Sequence, residues 1–477
     1  MSIVLVQPPY IISKNNIWRK IDRAVPPLGL AYIGAFLEQK GIEVRILDLQ
    51  AQHMDVAQYQ AYLRQLDPEF LGISATTVEI NSALKLAECS RQTCPNAQII
   101  FGGPHPSIMT EEVLAHPTVD FVVRGEGEQT VYELVSATGD VSTILGLSYK
   151  QNGVMKHNPP RPLIEDIDEI PIPAYHLLPM DKYKPSLGNY KRLPAVSMIT
   201  SRGCPGRCTF CYTGIFGKKI RTRSARNLLE EIKYLQKNYG IKEISFYDDT
   251  FTAFKDNVKE FCGRIIQERI DITWSCMSRI DCIDEEILKL MKRAGCHQIG
   301  YGLESASPEI LQNIRKPLAL DLAKKVVALT KQAGIDVRGM FMLGNPGETE
   351  ETLRRTIEFA IELDPDLVIF NITTPYPGTE MYEWAKASGY LKAADWDEYD
   401  LSHVVMRLPT VSPERIQYYY HLAYNKFFLR PSYIGKRIRK MKTFVDVKNN
   451  ATAMLSLLNF KAEGRPHSMK DHQERKW

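Results

Sequence analysis

The chain has 477 residues, of which 44% are hydrophobic and 24% are charged, and its formal net charge is +4. This length is too great for one ordinary domain and predicts two or three, each able to bury a core of its own. The composition is that of a soluble globular protein, and so small a net charge argues against nucleic-acid binding.

The amino terminus, MSIVLVQPPY, has no basic segment followed by a long apolar run, and no apolar stretch approaches the roughly 18 residues of a membrane span. We therefore expect a cytoplasmic protein. Nine cysteines, three of them clustered, fit a reducing compartment with metal chemistry better than a disulfide framework. The other six are expected to be ordinary buried thiols: Cys89, Cys94, Cys262, Cys276, Cys282 and Cys296.

Residues 1–140 alternate between strand and helix patterns. Apolar runs predict five strands, at SIVLVQP, EVRILDL, FLGISAT, AQIIFGG and DFVVRGEGE. Helical spacing predicts helices between them, at 29–41, 55–66, 80–93 and 110–115. This alternation predicts an α/β fold with a doubly wound parallel sheet, whose ligand crevice lies beyond the carboxyl ends of the strands.

The loops at those strand ends contain glycine and small polar residues, which let a bulky ligand approach the backbone closely. They read QPPY (7–10), DLQAQH (48–53), SATTVE (74–79), GGPHPS (102–107) and RGEGEQ (124–129). No G-x-G-x-x-G follows the first strand, which disfavours a nicotinamide or flavin dinucleotide.

Residues 141–190 are irregular and rich in proline, which predicts a linker with a small hairpin at LSYKQNGVMKH. A second alternating series occupies residues 191–400. Its strands are predicted at 195–201, 243–249, 272–278, 298–305, 337–344 and 367–375, and its helices near 224–238, 256–268, 283–294, 308–333 and 349–363. These βα units predict a partial (β/α)6 barrel with its chemistry on the loops that follow the strands. Residues 401–477 are predicted to be helical and to end in a disordered polar tail.

Cys204, Cys208 and Cys211 form C-x3-C-x2-C in SRGCPGRCTFCYT, directly after the first barrel strand. Soft thiolates select zinc or an iron-sulfur cluster. A structural zinc takes four protein ligands, usually in paired sets, and the sequence offers no second pair. A cubane cluster held by three cysteines leaves one iron free for a substrate or cofactor. A zinc loop with a distant fourth ligand is the alternative.

This spacing, with Phe210 between the last two cysteines, resembles the radical S-adenosylmethionine superfamily. The resemblance implies a [4Fe-4S] cluster on the three cysteines, whose open iron is chelated by the amino and carboxylate groups of S-adenosylmethionine. An electron from the cluster then cleaves that cofactor to a 5′-deoxyadenosyl radical.

Three later strand ends resemble the family's cofactor-contacting motifs. They are FYDDTF (246–251), with aspartates where many members have G-G-E, GLESAS (302–307) and GMFMLGNPGET (339–349). Each could be a helix cap, a loop or a turn when taken alone, but together they fall in register with the cysteines. The resemblance implies these cofactor contacts: Asp248, Asp249, Glu304, Ser305, Gly344, Gly347 and Glu348.

The first domain resembles the cobalamin-binding module of the class that includes anaerobic magnesium-protoporphyrin monomethyl ester cyclase and the hopanoid, bacteriochlorophyll and phosphonate methylases. The segments PPLGLAYIGAFLEQKGIEVRILD, FGGPHPS and VDFVVRGEGE carry this likeness. It implies these cobalamin contacts: Gln50, Ser74, Thr76, Gly102, Gly103, Gly125 and Glu126.

One stretch departs from that pattern. Many cobalamin proteins carry D-x-H-x-x-G, whose histidine ligates cobalt from below, whereas DLQAQH has Gln50 at the histidine position. His53 is interpreted as a surface loop residue. We therefore expect cobalamin bound without an imidazole beneath cobalt, a state that favours nucleophilic cob(I)alamin. The same departure leaves open that the chain has lost cobalamin.

The resemblance implies a radical C-methyltransferase acting on an unactivated carbon of a small-molecule or lipid-like substrate, served by a reducing partner such as flavodoxin or ferredoxin. An oxidative cyclase or rearrangement enzyme with the same cofactors but no methyl transfer is the alternative, and a cofactor-binding sensor is a third. Tetrapyrroles, lipids and natural-product intermediates all remain open as substrates, and the oligomeric state is not indicated.

Two segments are candidates for contact with the substrate. Tyr376 and Thr379 lie in TTPYPGTEMYE, after the sixth barrel strand. The aromatic, basic stretch near residue 430 either covers a large hydrophobic substrate bearing carboxylates, touches an anionic membrane surface, or simply packs on the barrel as an amphipathic helix. Its cations are Arg430, Lys436, Arg437, Arg439, Lys440 and Lys442.

Overall fold

The computed structural model describes residues 2–10, 24–185, 188, 190–392, 395–441, 451 and 454. Lys442 and most of the predicted polar tail lie outside these residues. Within them, no helix combines the length and the apolar character that crossing a membrane requires. Four of the six cysteines outside the triplet are buried as predicted, whereas Cys89 and Cys282 are only half-buried.

The amino-terminal half is built on one sheet with the strand order β2-β1-β3-β4-β5-β6-β7. Its strands are β1 (Ser2–Gln7), β2 (Glu43–Asp48), β3 (Phe70–Ser74), β4 (Gln98–Gly102), β5 (Phe121–Val123), β6 (Leu147–Gln151) and β7 (Val154–His157). Strands β1 to β5 are parallel, and the predicted hairpin β6–β7 adds to β5 in antiparallel fashion. The hairpin of the predicted linker thus extends this sheet. Because the chain order reverses between β1 and β3, the ligand crevice of such a fold lies there.

Helices cover both faces of this sheet. They are α1 (Leu28–Gln39), α2 (Leu49–Gln52), α3 (Val56–Leu66), α4 (Ile80–Thr93), α5 (Pro104–Ile108), α6 (Thr110–Ala115) and α7 (Glu128–Ser136). Along β1 the apolar side chains alternate: Ile3 and Leu5 join the core under α1 and α7, while Val4 and Val6 join the core under α3 and α4. A strand buried on both faces is what the continuous apolar run predicts. The doubly wound sheet is confirmed.

The second sheet contains six parallel strands in the order β15-β14-β13-β12-β11-β8, and a short ribbon of β9 and β10 flanks it. Its strands are β8 (Ala195–Met198), β9 (Ser201–Arg202), β10 (Arg221–Thr222), β11 (Glu243–Phe246), β12 (Thr273–Ser278), β13 (Cys296–Glu304), β14 (Asp336–Leu343) and β15 (Leu367–Ile372). The helices between and after them are α8 (Ala225–Tyr239), α9 (Lys255–Gln267), α10 (Glu285–Arg293), α11 (Pro308–Asn313), α12 (Leu320–Gln332), α13 (Glu350–Leu363) and α14 (Glu380–Ala387). This order confirms the predicted partial barrel.

The helix predicted over 308–333 is in fact two helices, α11 and α12. Arg315 adopts a positive φ of 50°, and Pro317 cannot continue a helix, so the chain breaks between them. The break places Lys316 beside the barrel mouth, where it pairs with Glu304.

A helix and a buried carboxylate complete the barrel, at its free edge and at the end opposite the mouth. Helix α15 (Pro413–Phe428) covers the free edge of β15, where the Tyr424 hydroxyl donates to the carbonyl of Phe370 at 3.0 Å and accepts from its N–H at 3.2 Å. A side chain here replaces the missing neighbouring strand. At the opposite end of the barrel from the mouth, the buried Glu243 carboxylate accepts the N–H groups of Lys191 and Arg192 at 2.7 and 2.6 Å.

The basic helix α16 (Pro431–Lys440) lies at that lower end as well. Lys436 and Lys440 pair with Asp366 at 3.0 and 2.9 Å, and Arg430 pairs with Asp364, both next to the start of β15. Of the three interpretations of this stretch, cover over a substrate at the mouth does not fit Arg430, Lys436 and Lys440, because parallel strands start at the end opposite their catalytic loops. Packing on the barrel describes them correctly. A membrane contact through the rest of α16 stays a prediction.

Candidate active site

The three predicted cluster ligands lie on the loop between β9 and β10, at the mouth of the barrel. The two short strands pair Arg202 with Arg221, and Cys204 donates its N–H to the carbonyl of Gly217 at 3.2 Å. Gly203 has a φ of 97°, and a Cβ there would collide with the carbonyl of Lys219. Only glycine allows the two arms of the loop to approach this closely.

The chemistry of the donor set fits a cluster better than a single zinc ion. In the part of the chain that the structure describes, no three His, Cys, Asp or Glu side chains surround one metal position. The cysteines of a cubane cluster each bind a different iron, so their sulfurs need not converge on one point. Cys204 and Cys208 are half-buried and Cys211 is exposed, so all three remain accessible for cluster assembly.

Phe210 anchors this loop from behind. Its ring packs against the apolar cluster that contains Leu311 and Met381. The neighbouring Thr209 donates its N–H to Ile314 at 3.1 Å and accepts from the N–H of Met381 at 2.9 Å. These contacts with α11 and α14 fix the position of the loop, and the contact of Phe210 with a cofactor stays a prediction.

An ion pair that the sequence alone did not reveal lies beside the cysteines. Lys316 Nζ is 3.1 Å from Glu304 Oε1, and the two side chains are only 14% and 10% exposed. Burial alone lowers the pKa of Lys316, but the charges of Glu304 and Cys208 outweigh it and leave this pKa above its usual value. Lys316 also partly offsets the effect of burial, which raises the pKa of the Cys208 thiol.

The backbone at Glu304 is strained. This residue has a φ of 60°, and Ser305 donates its N–H to the carbonyl of Leu303 at 2.8 Å, which closes a tight turn around Glu304. The turn aims the Glu304 carboxylate back over Gly302, where a Cβ would collide with it. Ser305 faces the other way, its hydroxyl lying 3.3 Å from Thr356 of α13, so it supports the turn rather than facing the mouth.

Asp248 ties two strand ends together. One carboxylate oxygen accepts the N–H of Thr200 at 2.8 Å and both the N–H and the hydroxyl of Ser201, at 2.5 and 2.7 Å. Burial raises the pKa of Asp248 to about 6. Asp248 therefore holds the backbone that follows β8, and its contact with S-adenosylmethionine stays a prediction. Asp249 is exposed.

The loop after β14 is also held by a buried acid. Glu348 accepts from the N–H and Nδ2 of Asn345, at 3.2 and 3.1 Å, and from the Thr352 hydroxyl at 2.7 Å. Gly344 and Gly347 have φ values of 89° and 83°, which favour glycine. Both oxygens of the Glu348 carboxylate thus accept hydrogen bonds within the turn, and its contact with a cofactor stays a prediction.

In the first domain, Gln50 joins the loops after β1 and β2 at the switch point. Its Oε1 accepts the N–H of Tyr10 at 2.9 Å. His53 is exposed at the end of α2, as predicted. Thr76 is exposed too, and both its N–H and its hydroxyl donate to Glu79, at 2.9 and 2.6 Å.

Two glycines of this domain differ in what surrounds them: one lets two loops pack closely, and the other borders open space. Gly103, which follows Gly102 at the end of β4, has a φ of 93°, and a Cβ there would lie 2.8 Å from the Ser74 hydroxyl. Gly125 has a φ of 76°, and a Cβ at that position would meet nothing within 4 Å. The open backbone at Gly125 is compatible with the predicted cobalamin site.

Glu126 contacts the other domain, contrary to its predicted contact with cobalamin. Its buried carboxylate accepts from Arg202 Nη1 at 2.8 Å and from Arg221 Nη1 at 2.9 Å. These arginines are the paired residues of β9 and β10. The first domain is thus bonded to both arms of the cysteine loop.

The two predicted substrate residues differ in exposure. Thr379 is buried and caps α14, accepting the N–H of Tyr382 at 3.1 Å and donating to the carbonyl of Tyr376 at 2.6 Å. Tyr376 is half-buried and donates its hydroxyl to the carbonyl of Tyr399 at 2.7 Å. Burial raises its pKa, and the nearby Tyr10 of the first domain adds to that shift. Only Tyr376 lies where the two domains approach each other.

Loops at the carboxyl ends of both sheets meet at this place. A Cβ on Gly378, after β15, would lie 2.8 Å from Ile108 of α5 and 2.9 Å from the ring of Tyr212, next to Cys211. Trp396 packs edge-on against His105 with ring centres 5.1 Å apart, and its indole N–H donates to Glu112 at 2.7 Å. The ligand edges of the two domains therefore face each other.

Comparisons with known proteins identify both halves. A family model described as Radical SAM superfamily matches residues 198–360, and one described as B12 binding domain matches residues 17–135. An uncharacterized methyltransferase of Pyrococcus horikoshii is 40% identical over 450 residues, which are 93% of this chain and 96% of that protein. The chain belongs to the cobalamin-binding radical S-adenosylmethionine enzymes. Its family cofactors are the three predicted from the sequence: a [4Fe-4S] cluster, S-adenosylmethionine and cobalamin.

One further relative and one solved structure are also similar to this chain. The anaerobic magnesium-protoporphyrin IX monomethyl ester cyclase of Rubrivivax gelatinosus is 27% identical, across 87% of this chain and 76% of the cyclase. The radical S-adenosylmethionine methyltransferase TsrM of Kitasatospora setae, solved with cobalamin and a [4Fe-4S] cluster bound, has the same fold. Its TM-score is 0.69 at 20% identity, with 90% of this chain and 89% of TsrM covered.

Proposed function

We propose that this enzyme is a cobalamin-dependent C-methyltransferase that acts on an unactivated carbon of a small-molecule substrate. The observation that carries the proposal is the facing arrangement of two cofactor loops, the cysteine loop of the barrel and the open glycine loops of the first sheet. The relative that is 40% identical over nearly the whole chain is named a methyltransferase, which supports methyl transfer as the outcome.

The three cysteines would hold the cluster, and the residues around them fit the cofactor that completes it. When bound, S-adenosylmethionine at the cluster supplies the hydrogen-abstracting radical, and methylcobalamin supplies the methyl group. Glu304 and Lys316 place a carboxylate and an ammonium beside Cys208, which matches the amino and carboxylate groups of an amino acid. The Asp249 side chain is a further polar group at the mouth.

On the first domain, Gly125 leaves open space for a ligand beside the backbone, and Gln50, not a histidine, lies at the switch point. A carboxamide is a poor metal donor, so Gln50 would give a bound cobalamin no strong metal ligand. The bound cobalamin would supply the methyl-carrying chemistry.

An oxidative cyclase is the second candidate, because a cyclase is among the relatives that cover most of the chain. Cyclase chemistry needs the same cluster and cobalamin but leaves no methyl group on the product. The presence of S-adenosylhomocysteine among the products separates the two activities.

The test uses protein purified without oxygen and reconstituted with iron, sulfide and hydroxocobalamin. Its absorption spectrum after desalting reports which cofactors stay bound. Reductant, or a flavodoxin or ferredoxin as the proposed electron donor, is then added with S-adenosylmethionine. Retained cobalamin with both S-adenosylhomocysteine and 5′-deoxyadenosine supports the methyltransferase. A retained cluster and 5′-deoxyadenosine without cobalamin would rule it out.

A further inference from the structure

We propose that Glu126 is a positioning residue that fixes the cysteine loop to the first domain. It thereby sets where the cluster lies relative to the ligand bound by that domain. The inference rests on the proposed function only for the names of these two ligands, because the joint itself is formed by the chain's own residues.

Glu126 binds both arms of the cysteine loop at once. Its Oε1 accepts from Arg202 Nη1 at 2.8 Å and from Arg221 Nη1 at 2.9 Å. Arg202 lies two residues before Cys204, and Arg221 pairs with it across the β9–β10 ribbon. One carboxylate therefore bridges the entry and the exit of the loop that carries the cluster ligands.

The joint is buried and its charges are balanced. The side chains of Glu126, Arg202 and Arg221 are 2%, 7% and 2% exposed. Glu128, itself buried, accepts from Arg202 Nη2 at 2.6 Å, so two carboxylates face two guanidinium groups. Buried charges are stable only when each keeps its partner in good geometry, so this joint tolerates few alternative arrangements.

The linker and two aromatic rings complete the joint. The second oxygen of Glu126 accepts the N–H of Ile164 at 2.8 Å, and the carbonyl of Ile164 accepts from Arg221 at 2.5 Å. The guanidinium of Arg202 lies between the rings of Tyr32 and Phe216, 5.4 Å from each centre. Contacts on several sides leave the loop little freedom to shift relative to the first domain.

Gly125 links this joint to the proposed cobalamin site. Gly125, directly before Glu126, is the position whose backbone opens onto free space at the ligand edge of the first sheet. Glu126 thus connects the backbone next to the cobalamin site with the backbone next to Cys204. A change that loosens Glu126 is expected to loosen the spacing between the two cofactors without removing a ligand of either.

The test compares Glu126→Gln with a matched control, Glu243→Gln. Glu243 is a buried carboxylate too, and it accepts the N–H groups of Lys191 and Arg192, but it lies at the other end of the barrel. Hydrogen exchange is measured first on the cofactor-free protein. Glu126→Gln is expected to raise exchange at residues 203–217 about tenfold, because an ion-pair anchor is lost. Glu243→Gln is expected to raise exchange only near 191–192.

The second measurement uses the reconstituted enzyme with cob(II)alamin and a one-electron-reduced cluster. Pulsed electron paramagnetic resonance reports the distance between the two unpaired spins. A narrow distribution is expected for the native chain and for Glu243→Gln, and a broader or displaced one for Glu126→Gln. A wild-type distribution in Glu126→Gln would overturn the proposal.

If Glu126→Gln fails to fold, Arg202→Lys replaces it, because lysine keeps the charge but loses the two-pronged contact with Glu126 and Glu128. Unchanged exchange at 203–217 in this variant would equally refute the joint. A native enzyme that binds no cobalamin would instead refute the proposed function, while the exchange comparison would still decide the role of Glu126.

Discussion

Replacing Lys316 by methionine is expected to destabilise the barrel and to abolish productive binding of S-adenosylmethionine. The substitution keeps the volume but leaves Glu304 as an unpaired carboxylate that is only 10% exposed. Removing one partner of a buried ion pair costs about 3–5 kcal/mol, because the remaining charge stays buried without compensation. The Glu304 side chain cannot easily turn to solvent, because the positive φ of Glu304 aims its carboxylate into the space beside Gly302, which has no side chain.

A double-mutant cycle separates stability from function. Lys316→Met, Glu304→Gln and the double variant are unfolded with urea in the cofactor-free state, and 5′-deoxyadenosine formation is measured after reconstitution. We expect the double variant to recover much of the lost free energy of unfolding, because no unpaired charge remains, while still failing to cleave S-adenosylmethionine. Additive free energies would show that the two side chains do not interact, and normal cleavage in the double variant would refute their role in the site.

Three further predictions concern other parts of the chain. Cys208→Ala should lose the brown colour of the cluster and all 5′-deoxyadenosine formation, and continued formation would contradict the cluster assignment. Tyr424→Phe should cost about 1–3 kcal/mol in urea unfolding, because it leaves buried polar groups of Phe370 without partners, and an unchanged midpoint would refute this. The raised pKa of Asp248, about 6, means that the native state binds its proton more tightly than the unfolded state. Between about pH 4 and pH 6 stability should therefore fall as pH rises, by about 3 kcal/mol, and thermal melts of Asp248→Asn should lack this loss.

The periodicity of the sequence was sufficient for the fold class, because the alternation of strands and helices is a local signal. The apolar runs at β1 and β3 are almost continuously buried, as parallel strands under two helical layers must be. The addition of the hairpin β6–β7 to the first sheet was not predicted, since pairing between strands is not a local signal. The single helix expected over 308–333 was wrong because its apolar spacing continues across a break that Arg315 and Pro317 impose. Helical periodicity does not report a local turn.

The site was predicted less completely, for a different reason. The three cysteines lie within eight residues of one another, so their spacing alone predicted that they are metal ligands. Lys316 follows a short helix and reaches Glu304 only through the folded chain, so no local pattern could reveal it. Glu126 lies in a loop that the resemblance assigned to cobalamin, but its partners come from the other domain, about 75 to 95 residues later.

The acidic residues of the motifs share a common physical role. Asp248, after β11, accepts the backbone N–H groups that follow β8, and Glu348 accepts one that follows β14. These polar groups of the chain would otherwise be buried without partners where the strand ladder stops. Each acid thereby fixes the path of a loop that borders the mouth. Glu304 differs because its partner is a side chain and its backbone is strained, and such strain is tolerated mainly where function requires it. The motifs therefore divide into acids that shape the loops and one ion pair, Glu304 with Lys316, that we propose meets the cofactor.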